Sequence, residues 1–364
     1  MSENWQLFQG NGQRLANAQA RLENLETPPW RKFGKREDVM PDDDQRWEKI
    51  RTLGEQRIRE RSRGKNFRLY SQEATNQIIS TDIQDVINGV NAAIYLRRPL
   101  LVRGSPGTGK SSLAYAIAHE LNLGSVLSWP ITGRSNLQDG LYRYDAIGRL
   151  QDSQTGESKP IGEYITLGPL GTAFIPSKLP RVLLIDEIDK SDINLPNDLL
   201  NLLEEGQFPI PELVRRSHQG QGENTDNQSG FQIKTHDEGT DVVIPDGWVR
   251  CHAFPIIVMT TNGERDFPPA FNRRCLRVTM PEPQREALQA IVKTHFGEEK
   301  FAEYNERINQ LIGEFLDENK PGMESRDRST DQLLNTIHIL TGMYQPQDRE
   351  AIKNLLLKRL SANE

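Results

Sequence analysis

Residues 104–111 constrain the fold of this chain more than any other segment. They read GSPGTGKS and match the pattern G-x-x-x-x-G-K-[ST]. An apolar run, residues 99–103, precedes them, and apolar residues recur at helical spacing over residues 113–121. This order predicts a buried strand, a tight glycine-rich loop, and a helix whose N-terminus faces the loop.

The loop has the composition of a binding site for a polyphosphate. Its glycines let the backbone approach phosphate oxygens closely and aim successive N–H groups at them. Lys110 is suited to reach the β and γ phosphates, and the Ser111 hydroxyl is suited to bind Mg²⁺. The predicted nucleotide-binding residues of this segment are Gly104, Ser105, Pro106, Gly107, Thr108, Gly109, Lys110, Ser111 and Ser112.

Composition sets the class of protein. The chain has 364 residues, 35% hydrophobic and 26% charged, which fits a soluble globular protein of two domains. No apolar run approaches the ~20 residues that span a bilayer, and the N-terminus lacks the pattern of a secretory signal. Two cysteines, Cys251 and Cys275, favour a reducing, cytoplasmic environment without a disulfide framework.

Charge is unevenly distributed along the chain. The net charge of −6 argues against a dedicated nucleic-acid binder. Residues 1–68 nevertheless hold 15 basic and 11 acidic side chains, a net charge of +4. Their basic run, residues 57–65, is interpreted as a solvated helix face or flexible arm, and contact with a nucleic acid or an acidic partner is the alternative.

Three regions differ in pattern. Residues 1–66 form a polar extension, expected to be partly helical or disordered, with too few apolar residues for a core of its own. Residues 67–282 alternate strands with helices, which predicts an α/β fold with a parallel sheet sandwiched by helices. Residues 283–364 carry helical stripes, which predict a small all-helical domain.

Two segments exceed what a minimal nucleotide-binding sheet requires. Residues 134–172 contain a polar turn between the apolar runs 146–150 and 164–167, and residues 211–253 contain a long polar stretch followed by alternating segments. Both patterns predict hairpins inserted into the core domain.

Polar residues follow two of the predicted strands. Asp186 and Glu187 end the apolar run 182–185, and ligands bind at the carboxyl ends of such strands. Asp186 is suited to hold Mg²⁺, and Glu187 to orient or deprotonate an attacking water. Asn262 follows the run 254–259, where its amide can position the water or the γ phosphate. The alternative for Asn262 is an ordinary Asn-Gly turn.

A pair of arginines, Arg273 and Arg274, follows a proline-rich turn at residues 267–272. The prolines make the turn rigid, and each guanidinium is a bidentate donor. An arginine in this place can stabilise the charge of phosphoryl transfer, an effect of ~10³–10⁵ in rate. The alternative is a basic pair on the surface.

Taken in order, these motifs resemble those of the AAA+ ATPases, and among them the MoxR type. Residues 104–111 match Walker A, residues 183–187 match Walker B, and Asn262 matches sensor 1. The segment that ends at Arg274 is similar to the one that carries the arginine finger of the family, with Arg273 as the alternate. The resemblance covers roughly residues 70–345.

The resemblance implies a P-loop AAA+ sheet followed by a helical lid, with the two insertions in the places of a helix-2 insert and a pre-sensor-1 hairpin. It implies Mg²⁺-dependent ATP hydrolysis in a ring of identical subunits, a hexamer, that remodels a protein client. A protein with a von Willebrand A domain is the implied partner. Two alternatives remain: a nucleotide-switched scaffold with little turnover, and a nucleic-acid motor of the restriction-GTPase kind.

One position departs from the family. Where the family has its sensor-2 arginine, a direct match gives Asp331 or Gln332. Arg328, or Arg326 in the preceding turn, is the predicted substitute that contacts the nucleotide. The extension of residues 1–66 also lies outside the family pattern.

Overall fold

A parallel sheet lies at the centre of the computed structural model, which describes residues 5–70, 80–156, 159–217, 224–225, 228–316, 328–342 and 348–358. The strands are β1 (Leu100–Arg103), β2 (Leu127–Pro130), β3 (Tyr142–Tyr144), β4 (Ile165–Leu167), β5 (Val182–Asp186), β6 (Gln207–Pro209), β7 (Asn224–Thr225), β8 (Gln228–Ser229), β9 (Phe231–Lys234), β10 (Asp241–Ile244), β11 (Trp248–Arg250), β12 (Ile256–Thr261) and β13 (Leu276–Thr279). The helices are α1 (Ala18–Glu23), α2 (Asp43–Gln56), α3 (Ile58–Asn66), α4 (Thr81–Leu96), α5 (Lys110–Glu120), α6 (Leu137–Leu141), α7 (Ala146–Thr155), α8 (Pro169–Ala173), α9 (Leu195–Glu205), α10 (Pro211–Ser217), α11 (Pro269–Arg274), α12 (Arg285–Phe296), α13 (Glu298–Glu303), α14 (Asn305–Phe315), α15 (Thr330–Leu340) and α16 (Arg349–Leu356). Short 3-10 turns occur at Pro29–Arg31, Arg36–Asp38, Ile161–Tyr164 and Ile188–Lys190.

The central sheet has five strands in the order β13-β1-β12-β5-β2, and every neighbouring pair is parallel. Side chains of a strand alternate between its two faces. In β5, Leu183 and Ile185 therefore pack in one hydrophobic cluster, and Val182 and Leu184 pack in another. Both faces of the sheet are covered, so the predicted α/β sandwich is confirmed.

The N-terminal extension packs against this core. Its side chains Leu7, Phe8, Trp47 and Ile50 are buried in the same cluster as Leu113 of α5. The extension thus has too few apolar residues for a separate core, but they complete the cluster on one face of the sheet. Within residues 5–66 the structure contains the helices α1, α2 and α3 and two 3-10 turns, where the sequence predicts an extension that is partly helical or disordered.

Buried polar side chains of the core hold the first residues of the extension. The Asn91 amide oxygen accepts the backbone N–H groups of Leu7 and Phe8, at 2.6 and 3.0 Å. The Glu120 carboxylate accepts those of Gln9 and Gly12, at 2.9 and 2.7 Å. Burial raises the pKa of Glu120, and these N–H donors oppose the rise. The extension is therefore held to the core by hydrogen bonds to buried polar side chains as well as by apolar packing.

The two insertions join into one sheet. β3 and β4 of the first insertion pair antiparallel, as do β9 and β10 of the second, and β4 pairs parallel with β9. The result is a four-stranded sheet in the order β10-β9-β4-β3, which we call the insertion sheet. Sequence patterns place two separate hairpins here and do not reveal that they meet.

One part of the first insertion differs from the predicted hairpin. The apolar run 146–150, read as an arm of the hairpin, begins the helix α7 instead. The Asp145 carboxylate accepts the backbone N–H of Gly148 at 2.8 Å and caps the helix, which favours helix over strand. The arm of the hairpin is Tyr142–Tyr144, a segment whose aromatic side chains had not been recognised as a strand.

The C-terminal region is helical and has its own hydrophobic cluster. In the described residues it consists of α12 to α16. The cluster comprises Leu288, Val292, Phe301, Ile308, Leu311, Ile312, Phe315, Leu316, Leu333, Ile337, Leu340 and Leu357. The predicted helical region is therefore confirmed as a helical unit, here called the lid, whereas the boundary at residues 282 and 283 stays a prediction.

Candidate active site

The phosphate loop connects β1 to α5 in the predicted way. Gly107 and Gly109 have φ values of 79° and 89°, a region that side chains other than glycine rarely adopt. The Lys110 ammonium donates to the carbonyl oxygens of Gly104 and Ser105, both at 2.8 Å. The loop therefore curls around the lysine that begins the helix.

Lys110 is buried beside several carboxylates. Only 7% of its side chain is exposed. Burial lowers the pKa of Lys110, and the charges of Asp186, Asp189 and Glu187 oppose that effect. A bound polyphosphate would add negative charge and favour the protonated form further.

Asp186 lies next to the start of the loop helix. Ser111 Oγ donates to Asp186 Oδ1 at 2.7 Å, and Thr260 Oγ1 donates to the same oxygen at 2.6 Å. Asp186 ends β5, and Thr260 lies in the neighbouring strand β12. A hydroxyl and a carboxylate oxygen at this separation fit Mg²⁺, which takes one or two carboxylates together with substrate phosphates.

Glu187 has an unusual backbone conformation. Its φ of 59° and ψ of 50° lie in the left-handed region, which is strained for a residue other than glycine. Its N–H donates to Thr260 Oγ1 at 2.8 Å, and this bond holds the conformation. The Glu187 carboxylate forms an ion pair with Lys190 at 2.8 Å and is 43% exposed. The strain directs an acidic side chain into the cleft beside Asp186.

Asn262 follows β12 and is held by Asp189, a residue that the sequence analysis missed. Asp189 Oδ2 accepts the backbone N–H groups of Asn262 and Glu264, at 2.9 and 3.3 Å. Asp189 is 6% exposed, and its Oδ1 has no hydrogen-bond partner in the described part of the chain. The available signal is a third acidic residue two positions after Glu187.

A single cleft brings these residues together. Its volume is about 1810 Å³, and it lies between the core, the extension and the lid. The predicted residues that line it are Pro106, Gly107, Thr108, Gly109, Lys110, Ser111, Ser112, Asp186, Glu187 and Asn262. Gly104 and Ser105 contribute the carbonyl groups that hold Lys110. The loop and the two strand ends thus form one site, as their order in the sequence predicts.

The extension also contributes side chains to the cleft. Arg59, Arg63 and Asn66 of α3 line it, and Arg63 Nη2 donates to Ser112 Oγ at 3.3 Å. From the sequence, the basic run of residues 57–65 is interpreted as a solvated helix face or a flexible arm, with no distinction among its side chains. The spacing of Arg59 and Arg63, four residues apart on one side of a helix, was the signal that could have separated them from their neighbours.

Arg273 and Arg274 end α11 and do not line the cleft of their own chain within the described residues. Arg274 Nε lies 2.5 Å from Glu204 Oε1. Arg273 Nε donates to the Pro269 carbonyl oxygen at 3.3 Å. A single subunit therefore does not bring these arginines to Lys110 and Glu187.

Arg328 does not line the large cleft but lines a small cavity beside Pro106, Gly107 and Thr108 of the phosphate loop, and its contact with the nucleotide stays a prediction. Its guanidinium donates to the carbonyl oxygens of Leu357 and Glu314, at 2.7 and 2.8 Å, and so ties lid helices together. Asp331, at the sensor-2 position, lines the cleft instead. The alternative Arg326 lies outside the described residues.

The two cysteines and the potential metal-binding side chains are not favourable as further reactive sites. Cys251 and Cys275 are buried free thiols, and burial raises the pKa of each to about 12, so neither is a reactive thiolate. Across the described ranges, no cluster of three or more His, Cys, Asp or Glu side chains could hold a metal ion. None of the helices in these ranges has the length and apolar character needed to cross a bilayer.

Comparison with known proteins agrees with this architecture. Residues 99–275 match the family model described as AAA domain (dynein-related subfamily). No curated protein matches the sequence. Among solved structures, domain III of the replication initiation protein DnaA from Thermotoga maritima is 14% identical with a TM-score of 0.37, and the match covers 79% of this chain and 97% of that one. PCH-2 from C. elegans is 15% identical with a TM-score of 0.36, and the match covers 82% of this chain and 70% of that one. The matched segment and the five-stranded parallel sheet together give this chain the AAA+ P-loop fold.

Proposed function

We propose that the chain is a Mg²⁺-dependent ATPase of the MoxR type that works as a ring of identical subunits, a hexamer, and remodels a protein client. The observation that carries the proposal is the hydrogen bond between Ser111 Oγ and Asp186 Oδ1 at 2.7 Å, with Lys110 and Glu187 beside it. This hydrogen bond joins the phosphate loop to the strand end at which a metal ion would be bound and a water would be activated.

Each residue has a defined role in this proposal. Lys110 neutralises the β and γ phosphates, and Ser111 and Asp186 hold Mg²⁺, which supplies electrostatic stabilisation of the transferring phosphoryl group. Glu187 orients and deprotonates the attacking water. Asn262 positions the water from the neighbouring strand without adding charge.

The position of the arginines supports a shared site. Arg273 and Arg274 lie outside the cleft of their own subunit, and the side chain of Arg274 extends far enough to pair with Glu204 of another helix. In the proposed ring Arg274 reaches the γ phosphate held by the next subunit, with Arg273 as the alternate. Assembly would then be required for turnover.

In this proposal, ATP hydrolysis at the phosphate loop is coupled to movement of the lid and of the insertion sheet. The lid contacts the loop directly before α15, since a side chain on Gly107 would collide with Ser329. In the first insertion, α7 exposes Ile147 and Leu150, which are 71% and 60% accessible. We infer that this apolar tip contacts the client, and that a protein with a von Willebrand A domain supplies the choice of client.

The test is the Glu187→Gln variant, which keeps the shape of the side chain and removes its basicity. Steady-state phosphate release should fall by about 10²–10⁴-fold, the typical contribution of a general base, while ATP affinity stays unchanged. Lys110→Ala is the control and should lose ATP affinity. Turnover by Glu187→Gln equal to that of the native chain would refute the assignment. Tight ATP binding without phosphate release by the native chain would favour the nucleotide-switched scaffold.

The same assay with added DNA or RNA tests the nucleic-acid motor. That alternative depended on the basic run 57–65, and the structure packs α3 against α5, with Arg63 on Ser112. A nucleic acid that stimulates hydrolysis in a steeply salt-dependent way would restore it.

A further inference from the structure

The helix α3 of the extension forms a wall of the nucleotide cleft. It packs along α5, the helix that begins at Lys110, and also contacts α12 of the lid. The two backbones approach so closely at Gly64 that a side chain there would collide with the carbonyl oxygen of Tyr115. Gly64 is buried, so this approach fixes the rotation of α3 about its axis and with it the side chains that face the cleft.

The face of α3 that this packing presents to the cleft is basic. Arg59 and Arg63 are one helical turn apart, and both line the cleft together with the phosphate loop. The Arg63 guanidinium lies 4.5 Å from the centre of the Tyr115 ring and donates to Ser112 Oγ at 3.3 Å. The ring and the hydroxyl hold Arg63 in place, and no carboxylate among the described residues pairs with its charge.

Arg61 of the same helix is oriented differently. Arg61 points away from the cleft and forms an ion pair with Glu55 at 3.1 Å. For Arg59 and Arg63, no carboxylate partner is found among the residues that the structure describes. The lid contributes Asp331 to the same cleft, where an acidic group repels phosphate. Arg59 and Arg63 therefore face a cleft to which the lid adds both a cation, Arg285, and the acidic Asp331.

We propose that Arg63, with Arg59 beside it, binds the phosphates of the nucleotide held by its own subunit. The inference rests on the proposed function, because it assigns a further binding residue to the same site. The geometry of α5 gives the direction from which Arg63 approaches the phosphates. Ser111 faces Asp186, and Ser112 is one residue further on, about 100° around α5. Arg63 therefore approaches the loop from another side of α5 than Asp186 does, and we assign it to the phosphates that are not transferred.

This position predicts a specific kinetic signature. A contact with non-transferred phosphates is made equally with ATP and ADP, and it does not change between the ground state and the transition state. Loss of Arg63 should therefore weaken the binding of both nucleotides and raise KM, with little change in kcat. A charge-assisted hydrogen bond to phosphate corresponds to roughly a tenfold to hundredfold change in affinity.

The experiment measures Kd for fluorescent ATP and ADP analogues, and kcat and KM for ATP, on the full-length chain. Arg63→Ala should lose affinity for both nucleotides by about 10–100-fold, and Arg63→Lys should keep part of it because the charge remains. Arg59→Ala is the second variant: its side chain is exposed, so its removal leaves the packing of α3 unchanged. The affinity of Arg59→Ala for both nucleotides should also fall, by a smaller factor than that of Arg63→Ala.

Arg61→Ala is the matched control, since it removes one positive charge from the same helix on the opposite side. It should bind both nucleotides as the native chain does. Equal losses in Arg61→Ala and Arg59→Ala, unchanged affinity in Arg63→Ala, or a loss confined to kcat would each overturn the inference. Failure of the proposed function is distinguishable, because the native chain would then release no phosphate from ATP, whereas nucleotide affinity alone decides this inference.

Discussion

A buried ion pair between the core and the second insertion yields a prediction of stability. Arg181 directly precedes β5, and Asp237 lies in the turn between β9 and β10. The side chains are 4% and 3% exposed and are joined by two hydrogen bonds, of which Arg181 Nη2 to Asp237 Oδ1 measures 3.1 Å. The pair is a buried polar link between the turn of the second insertion and the core.

Replacing one partner leaves the other charge buried without compensation. Asp237→Leu and Arg181→Met should each lower the free energy of unfolding by about 3–5 kcal/mol. The double variant should recover most of that loss, because an apolar pair removes both desolvation penalties. Lys234→Ala is the control, since Lys234 pairs with Glu163 at 3.0 Å on the same insertion sheet but both side chains are half exposed. Its loss should be about 0–1 kcal/mol.

Urea unfolding followed by tryptophan fluorescence measures these differences. Trp47 is buried, and its ring centre lies 6.0 Å from the Arg181 guanidinium, so its emission reports on the same cluster. A loss below about 1 kcal/mol in Asp237→Leu, or a double variant as unstable as the sum of its singles, would refute the reasoning.

The pH dependence of the pair provides a second check. Burial alone would raise the pKa of Asp237, but the charge and hydrogen bonds of Arg181 outweigh burial and hold that pKa below its ordinary value of 3.8. A lowered pKa in the folded state means that the contribution is present above the ordinary value and is lost as pH falls through the folded value. The effect of Asp237→Leu should therefore be equal at about pH 7 and about pH 5.

Two further predictions concern turnover. Arg274→Ala should lose about 10³–10⁵ in kcat, and mixing it with inactive Lys110→Ala should restore part of the activity if the site is shared between subunits; a mixture as inactive as its components would contradict the shared site. Asp189→Ala removes the acceptor that holds the backbone of Asn262 at 2.9 Å, so kcat should fall by up to about 100-fold while ATP affinity stays within a factor of about three. Comparison of KM with kcat decides that case, and a fall in affinity alone would show that Asp189 acts on binding rather than on the position of Asn262.

The phosphate loop and β5 were predictable because each is specified locally. A glycine-rich loop with Lys110 and Ser111 has one common structural context, and an apolar run ending in Asp186 marks a covered strand that meets the loop at the sheet edge. The helical lid was equally predictable from its apolar stripes, which pack with one another. These features can be predicted without knowing which residues far away in the sequence they contact.

The extension and Arg63 were not predictable for the opposite reason. Trp47 and Phe8 look isolated in a polar segment, because the cluster that they join includes residues more than 60 positions away in the sequence, such as Leu113 and Val182. The functional side of α3 is likewise fixed by Gly64 against Tyr115, a contact that no periodicity of the basic run contains. The run 146–150 shows the same limit, since a short apolar run suits a strand or a helix equally until Asp145 caps it.

The junction within the insertion sheet limits how these insertions can move. At Gly162 the first insertion lies so close to β9 that any side chain would collide with the Gln232 carbonyl oxygen. Thr166 and Lys234 form the bridge between β4 and β9 a few residues further on. The two insertions are therefore joined to each other at Gly162 and Thr166, and the turn at Asp237 joins them to Arg181, the residue directly before the strand that carries Asp186. We expect a protein bound at α7 to act on both insertions together.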